Sequence, residues 1–227
     1  MLRSTVTVLT CLAAMGVTSA HAITVIPTGL NSGDQYRLAF LTSTSRDAYS
    51  SNIADYNAFV TGVANSVAEL AALGTTWTAI GSTATVDARE NTGTNPSNVG
   101  VPIYLLNNTK LADNNADLWD GTIDTSLIVE ETGTPHPFAL IEVWSGSIRD
   151  GVRHPQNYLG GVTGSRFGFA TIADFRWIDG SIGSNHVNRP MYAMSDVITV
   201  AAVPVPGAVW LFGGALGLLG VARRRVS

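Results

Sequence analysis

Cysteine and lysine are almost absent from this chain of 227 residues. The single cysteine, Cys11, lies near the N-terminus, and Lys110 is the only lysine. The rest of the chain therefore has no disulfide to form or to mispair in an oxidising compartment. It also has no cysteine nucleophile, and neither G-x-S-x-G nor S-x-x-K occurs in it. The common sequence signatures of covalent catalysis are thus missing.

Positive charge is scarce outside the two ends of the chain. Four of the 13 basic residues lie in the terminal segments, namely Arg3 and Arg223 to Arg225, so nine remain against 17 acidic residues. The central part is therefore acidic. This argues against DNA, RNA or anionic lipid as its partners, because those ligands need clustered positive charge. Acidity of this size is also typical of an exported protein that stays soluble.

The N-terminus has the three-part pattern of a secretory signal peptide. Arg3 gives a charged start, residues 6–17 are apolar, and Ala20 and Ala22 are the small residues of an A-x-A cleavage site. We expect signal peptidase and the export machinery as partners, with Ile23 as the first mature residue. The alternatives are a first core strand or a membrane anchor, but a spanning helix needs about 20 apolar residues and this run is shorter.

The C-terminal segment carries no charge over residues 203–222, which is long enough to span a bilayer as a helix, since about 20 residues suffice. Three arginines follow it at once, and a positive cluster beside a span stays on the cytoplasmic side. With the N-terminus exported, the domain then lies outside the inner membrane. A buried core helix is the alternative, disfavoured by these arginines and by the prolines before the run. The prolines before the run are Pro204 and Pro206, and the arginines after it are Arg223, Arg224 and Arg225.

This tail resembles the PEP-CTERM sorting signal that exosortases recognise in Gram-negative bacteria. The resemblance rests on a Val-Pro-x-Pro motif and a small residue, then an apolar Gly- and Leu-rich helix and the terminal arginines. Val205 stands where the family name places Glu, so the motif is similar to the Val-Pro-Leu-Pro-Ala variants. The resemblance implies cleavage near the prolines, loss of the helix, and delivery to the cell surface or the extracellular polysaccharide matrix. The motif residues are Val203, Pro204, Val205, Pro206 and Gly207.

One domain remains between the two signals, since the 45% hydrophobic content and the length suit one well-buried core. Residues 35–41, QYRLAFL, alternate as in a strand. An apolar stripe at spacings of three and four then predicts a helix, with Asn52 and Asp55 at its capped start and Gly74 as its stop. The stripe consists of Ile53, Tyr56, Val60, Val63, Val67 and Leu70. The organisation we predict is a signal peptide at 1–22, the domain at 23–202 and the sorting tail at 203–227.

After this helix the pattern changes to short strands separated by Gly, Asn, Pro and Thr. One early helix with many short, mostly antiparallel strands and long loops predicts an α+β fold. A late strand ending at residue 200 is expected to pair with the early strand at Gln35. The strand segments are TWTAIG, PIYLLN, SLIVEE, FALIEVWSG, FGFATI and YAMSDVITV.

The domain also resembles bacterial surface domains related to the C-type lectin and endostatin-like fold. The resemblance rests on the order of segments: a strand and helix, a Trp-containing segment, an Asp-Leu-Trp-Asp-Gly turn and a Trp-x-Gly turn. It implies a C-type-lectin-like fold and a capacity to bind sugars. The usual disulfides and the Glu-Pro-Asn and Trp-Asn-Asp calcium motifs of C-type lectins do not occur in this sequence.

An Asp-rich segment, DNNADLWDGTID, has oxygen ligands at the first, third, fifth and twelfth places of a calcium loop. Leu118 stands at the sixth place, where that loop needs Gly. Two interpretations remain: a weak metal site, or a polar turn whose side chains bond nearby backbone amides while Trp119 packs inward. The candidate ligands are Asp113, Asn115, Asp117 and Asp124.

The histidines give no zinc motif, because His136, His154 and His186 occur without H-E-x-x-H and without a pair at i, i+4. One cluster combines His154 with neighbouring charged residues. It is either a ligand-binding face or a solvated surface loop. Its other members are Arg149, Asp150 and Arg153.

Carboxylate pairs are the remaining catalytic candidates, because glycoside hydrolysis uses two carboxyl groups. Glu130 and Glu131 are adjacent and point to opposite faces if they lie on a strand; Glu142 with Asp150 is the other pair. Four tryptophans serve either as a sugar-stacking platform or as core, and core is favoured for at least three of them. They are Trp77, Trp119, Trp144 and Trp177.

We therefore predict a non-enzymatic exported surface or matrix protein that needs no cofactor and binds polysaccharide. The alternative is a secreted hydrolase of extracellular polysaccharide. Two carboxyl groups about 5 to 10 Å apart in a cleft favour the hydrolase, whereas a shallow aromatic and polar face favours binding.

Overall fold

The computed structural model describes residues 23–202, so the predicted signal peptide and sorting tail lie outside the described residues. Within this range the chain is a mixed α+β fold with few helices and mostly short strands, which confirms the predicted class. The resemblance to C-type lectins stays a prediction. In chain order the elements are β1 Gln35–Leu41, α1 Ile53–Asn65, α2 Ala68–Ala71, β2 Trp77–Ala79, α3 Ala88–Asn91, β3 Ile103–Leu105, β4 Lys110–Ala112, α4 Asn115–Leu118, β5 Glu142–Trp144, β6 Ser165–Phe169, a 3-10 helix Phe175–Trp177, β7 Ser181–Gly183, β8 Tyr192–Ser195 and β9 Ile198–Thr199.

The larger sheet is built around β1, whose residues after Gln35 are all buried. Its strand order is β2-β8-β1-β3-β4, with β9 pairing the start of β1. The β1–β3 pair is parallel, while β8 and β9 run antiparallel to β1. Gln35 lies opposite Thr199, so the predicted pairing of the early and late strands is confirmed. This pairing brings the end of the described chain beside its first strand.

The smaller sheet contains β5, β6 and β7, which are antiparallel to one another. The 3-10 helix lies between β6 and β7 in sequence and is capped by Asp174, whose side chain accepts a hydrogen bond from the Arg176 amide. Chain segments around residues 160 and 185 connect these strands to the rest of the domain. They form one of the surface pockets described below.

Helix α1 begins as the sequence predicts, because the Asn52 side chain accepts a hydrogen bond from the Ala54 amide. The prediction of one helix as far as Gly74 is wrong beyond α1. The Ser66 hydroxyl bonds the Val63 carbonyl at 2.6 Å, and Val67 takes an extended conformation before the short helix α2. A serine side chain that occupies a helical carbonyl in this way competes with the next turn of the helix.

The four tryptophans of the domain are core residues. Trp77, Trp144 and Trp177 are fully buried, and Trp119 is 5% exposed. The Trp119 ring nitrogen donates to the Thr94 carbonyl at 3.0 Å. Their rings are therefore not available as a sugar-stacking surface, and the core interpretation is confirmed for all four.

The Trp-x-Gly turn has a steric reason for its glycine. Gly146 has a φ of +63° and lies against the Ser82 carbonyl, 2.3 Å from where a Cβ at this position would be. Only glycine fits such a close approach at positive φ. The turn thus holds the end of β5 against the loop that follows β2.

One predicted strand is not formed. The segment SLIVEE makes only isolated bridges, from Glu130 to Leu41 and from Val129 to Pro135. The segment lies beside the last residue of β1 and then turns back, so it forms only one bridge to β1. Among residues 23–202, no helix combines the length and the apolar character needed to cross a membrane.

Candidate functional site

An open surface pocket of about 460 Å³ lies between three chain segments, near residues 49, 163 and 184. We call it the Tyr49 pocket. Its exposed apolar surface comes from Tyr49, 49% exposed, Ile182, 47% exposed, and Val162, which is fully exposed. Polar groups come from Thr163, Ser184, Asn185 and His186.

Backbone hydrogen bonds fix the segments that form the Tyr49 pocket. The Ala48 amide donates to the Asn185 carbonyl at 3.1 Å, and the Gly160 amide donates to the Ala48 carbonyl at 2.9 Å. The Asn185 side-chain amide donates to the Gly161 carbonyl at 2.6 Å. Two main-chain bonds and one bond from a side-chain amide thus join the three segments, which makes the pocket a preformed feature.

The polar and aromatic groups of this pocket suit a ligand rich in hydroxyl groups. The Tyr49 hydroxyl lies against the His186 imidazole, and the two rings meet edge to face with centroids 4.5 Å apart. The Asn185 Oδ1 is buried and has no hydrogen-bond partner within residues 23–202. A half-exposed ring beside apolar side chains gives a flat contact surface, while the amide and hydroxyl groups give hydrogen bonds. No carboxylate of the described range 23–202 lines the pocket.

A second pocket, of about 490 Å³, lies along one side of α1. We call it the α1 groove. Phe59, Gly62 and Val63 of α1 form its apolar wall, and Ser43 and Glu131 lie opposite. Among residues 23–202, Glu131 is the one carboxylate that lines the groove.

The adjacent carboxylates Glu130 and Glu131 have different partners, although the strand predicted at this segment is not formed. Glu130 contacts His136, whereas Glu131 accepts hydrogen bonds from the Ser43 amide, at 2.9 Å, and from the Ser43 hydroxyl. The two carboxyl groups therefore do not share one site.

The other carboxylate pair is also divided between separate partners. Glu142 accepts from the Arg189 Nε at 2.7 Å, and the Arg189 guanidinium lies over the Trp144 ring, 4.2 Å from its centroid. Asp150 instead accepts from the Val152 amide at 3.1 Å within its own turn. Neither member lines the Tyr49 pocket or the α1 groove.

The Asp-rich segment does not fold as a calcium loop. Asn114 caps the short helix α4 by accepting from backbone amides at its start. Asn115 is 2% exposed and turns its amide inward, to the carbonyls of Asn95 and Asn98 at 3.2 and 3.1 Å. Asn115, the second of the four candidate ligands, is therefore used to hold a neighbouring loop.

The remaining three candidate ligands have local partners or stand near one another. Asp113 pairs with Lys110, and the Asp117 carboxylate accepts from the Asp113 amide at 2.6 Å. Partial burial, and then the nearby carboxylate of Asp117, raise the pKa of Asp124. In the part of the chain that the structure describes, no group of three or more His, Cys, Asp and Glu side chains is placed to hold a metal ion. The geometry agrees with the polar-turn interpretation.

The charged cluster near His154 is spread along a turn. Arg149 is exposed, and the Asp150 side chain bonds within the turn. Arg153 reaches the other way and pairs with Asp87 at 3.5 Å. These side chains do not converge on the Tyr49 pocket or the α1 groove, and their organisation fits the surface-loop alternative.

His154 has a structural contact of its own. Its Nδ1 accepts from the amides of Gln156 and Asn157, at 3.3 and 3.0 Å. Burial, and then the positive charge of Arg166, lower the pKa of His154, while Asp179 acts in the opposite direction. The neutral imidazole is thus the form that the fold favours.

Sequence reasoning did not identify the two pockets. In the sequence, Tyr49 is a loop residue and Phe59 a helix residue without any binding motif, and His186 belongs to no zinc motif. The residues of the Tyr49 pocket come from segments more than 100 residues apart in sequence. A local sequence pattern cannot show that distant segments come together in one pocket, because this depends on the fold.

Comparison with known proteins adds no relative to this description. No protein-family model matches the chain, and no curated protein matches it.

Proposed function

We propose that this chain is an exported, non-enzymatic protein of the cell surface or extracellular matrix, and that it binds polysaccharide in the Tyr49 pocket. The observation that carries the binding proposal is the combination found in that pocket. A half-exposed tyrosine ring and two exposed aliphatic side chains lie at an open space whose lining also includes the polar residues Ser184, Asn185 and His186. Pyranose rings have apolar faces that stack on such a ring and hydroxyl groups that bond such polar side chains.

The hydrolase alternative has weaker support. Glycosidases need two carboxyl groups on either side of the scissile bond. The Tyr49 pocket is lined by no carboxylate and the α1 groove by one, Glu131, whose oxygens accept hydrogen bonds from Ser43. We therefore keep binding as the proposed activity.

The export part of the proposal depends on the terminal segments, which lie outside the described residues. It is supported by the signal-peptide pattern, and by the Val-Pro-x-Pro motif, apolar run and arginine cluster of the tail. The proposed partners are the export machinery and an exosortase, with transient anchoring in the inner membrane before release to the surface or matrix. An acidic domain without disulfides suits that location, because it stays soluble and needs no oxidative folding.

A sedimentation assay with insoluble polysaccharide from the producing cells tests the binding proposal. We expect the wild-type protein to co-sediment with it, and the Tyr49→Ala variant to bind about tenfold more weakly, since an aromatic contact of about 1.4 kcal/mol corresponds to that factor. Tyr49→Phe keeps the ring and is expected to retain most of the binding.

The matched control is Phe175→Ala, because Phe175 is 44% exposed and lies on the 3-10 helix, outside the pocket. It should bind like the wild type. Equal binding by the wild type and by Tyr49→Ala would show that the pocket does not contact the polysaccharide.

A further inference from the structure

Glu131 is the unusual group of the α1 groove, because it is a carboxylate that is 5% exposed. Its two observed hydrogen bonds come from the amide and the hydroxyl of Ser43, which carry no charge. No Lys, Arg or His nitrogen of residues 23–202 lies within 4 Å of its oxygens. A carboxylate accepts about four hydrogen bonds, and its burial is costly without a cation.

The wall of the groove opposite this carboxylate is apolar. It is formed by Phe59, which is partly buried, by Val63 and by the backbone of Gly62. A Cβ placed on Gly62 would meet nothing within 4 Å, so the space beside this turn of α1 is open. The lining thus combines apolar contact from α1, the negative charge of Glu131 and the hydroxyl groups of Ser43, Thr44 and Ser66. These groups define the chemistry of a ligand.

We propose that the α1 groove binds a small organic amine, with its ammonium group on Glu131 and its apolar body against Phe59 and Val63. The ammonium supplies the missing cation and donates to the free lone pairs of the carboxylate. The aromatic ring of Phe59 adds apolar contact for the body of the ligand; the Arg46 guanidinium lies 5.8 Å from the centroid of this ring. The groove volume of about 490 Å³ is within the range of small-molecule sites. This site is independent of the polysaccharide proposal, because it shares no lining residue with the Tyr49 pocket.

Titration of the full-length protein with 2-phenylethylamine, followed by saturation-transfer NMR, tests this site. The amine is protonated at neutral pH, and 2-phenylethanol is its uncharged counterpart of nearly equal shape. We expect the amine to bind at least about tenfold more tightly than the alcohol, because a hydrogen-bonded charge pair is worth that factor or more.

Two variants locate the binding. Glu131→Gln keeps the shape of the side chain and removes its charge, so it should weaken amine binding about tenfold or more and leave alcohol binding unchanged. Gly62→Leu fills the open space of the groove and should abolish binding of both compounds. The Gly62→Leu variant is expected to fold, because leucine is a better helix former than glycine. It therefore tests the proposal even if Glu131→Gln does not fold.

The controls are Gly62→Ala and Glu69→Gln. The first improves helix propensity with only a methyl group in the groove, and the second removes an exposed carboxylate of the neighbouring helix α2. Both should bind the amine within about twofold of the wild type. No detectable binding, equal affinity for the amine and the alcohol, or unchanged amine binding in Gly62→Leu would overturn the proposal.

Discussion

The side chain of His154 is expected to make the free energy of unfolding depend on pH. Its Nδ1 accepts two backbone hydrogen bonds, and a proton on that atom would face two N–H donors. Burial and Arg166 also lower the pKa of His154 in the folded state. The unfolded chain therefore binds more protons than the folded chain as the pH falls below about 6.5, and stability falls with it.

The variant His154→Asn tests this assignment. Asparagine offers an acceptor close to the position of Nδ1 but does not titrate, so the variant should lose less stability than the wild type between pH 7 and pH 5. Urea unfolding at the two pH values measures the loss for each protein. An equal loss in both proteins would contradict the role assigned to His154.

The Asp-rich turn gives a second prediction at the scale of single residues. Because Asn115 bonds the 95–98 loop and Asp117 bonds the Asp113 amide, addition of 1 mM calcium, within the affinity range of extracellular modules, should leave the melting temperature unchanged. A rise in melting temperature that disappears in Asp113→Ala would show that these oxygens bind the ion after all. Thermal unfolding followed by circular dichroism is sufficient for this comparison.

Among the elements, β1 and α1 are the ones that the sequence predicts well. The apolar residues of β1 and the stripe of α1 are local patterns, and a side-chain cap at Asn52 marks where α1 begins. The sequence places the end of this helix too late, because Val67 continues the apolar stripe beyond Asn65. The competing Ser66 hydroxyl bond decides the geometry there, and periodicity does not register it.

The elements that the sequence missed depend on distant partners. Strand β7 contains the exposed Ser181 and Ile182 and is formed only by pairing with β6. The predicted strand at SLIVEE has suitable residues but finds no partner long enough to extend it. Strand formation at such segments is decided by the neighbouring chain, whereas helix formation at α1 is decided largely within the segment.

The cap of α1 can be tested directly. Asn52→Ala removes the acceptor for the Ala54 amide and should destabilise the domain by about 1 kcal/mol. Asn52→Asp keeps an acceptor at the same place and should stay close to the wild type. The midpoint of urea unfolding is the measurement, and an unchanged midpoint in Asn52→Ala would mean that the bond contributes nothing to stability.

At the scale of the whole molecule, the sequence indicates the fold class and the proposed cellular location, but not the binding sites. The class follows from the balance of one long helix against many short strands. The proposed signal peptide and sorting tail can be predicted from the sequence because each is a continuous segment. The Tyr49 pocket and the α1 groove each combine residues from separate segments, and the charged candidates that the sequence offered are used in turns and ion pairs.

The mass of the native protein, recovered from the surface or matrix fraction of the producing cells, tests the proposed export and sorting most directly. We predict a mature chain that begins at Ile23 and ends near Pro204 or Pro206, because the A-x-A site and the Val-Pro-x-Pro motif are the two processing points. Intact mass spectrometry with terminal peptide sequencing measures both ends. A chain that still begins at Met1 and ends at Ser227, or a protein found only in the cytoplasm, would contradict the proposal.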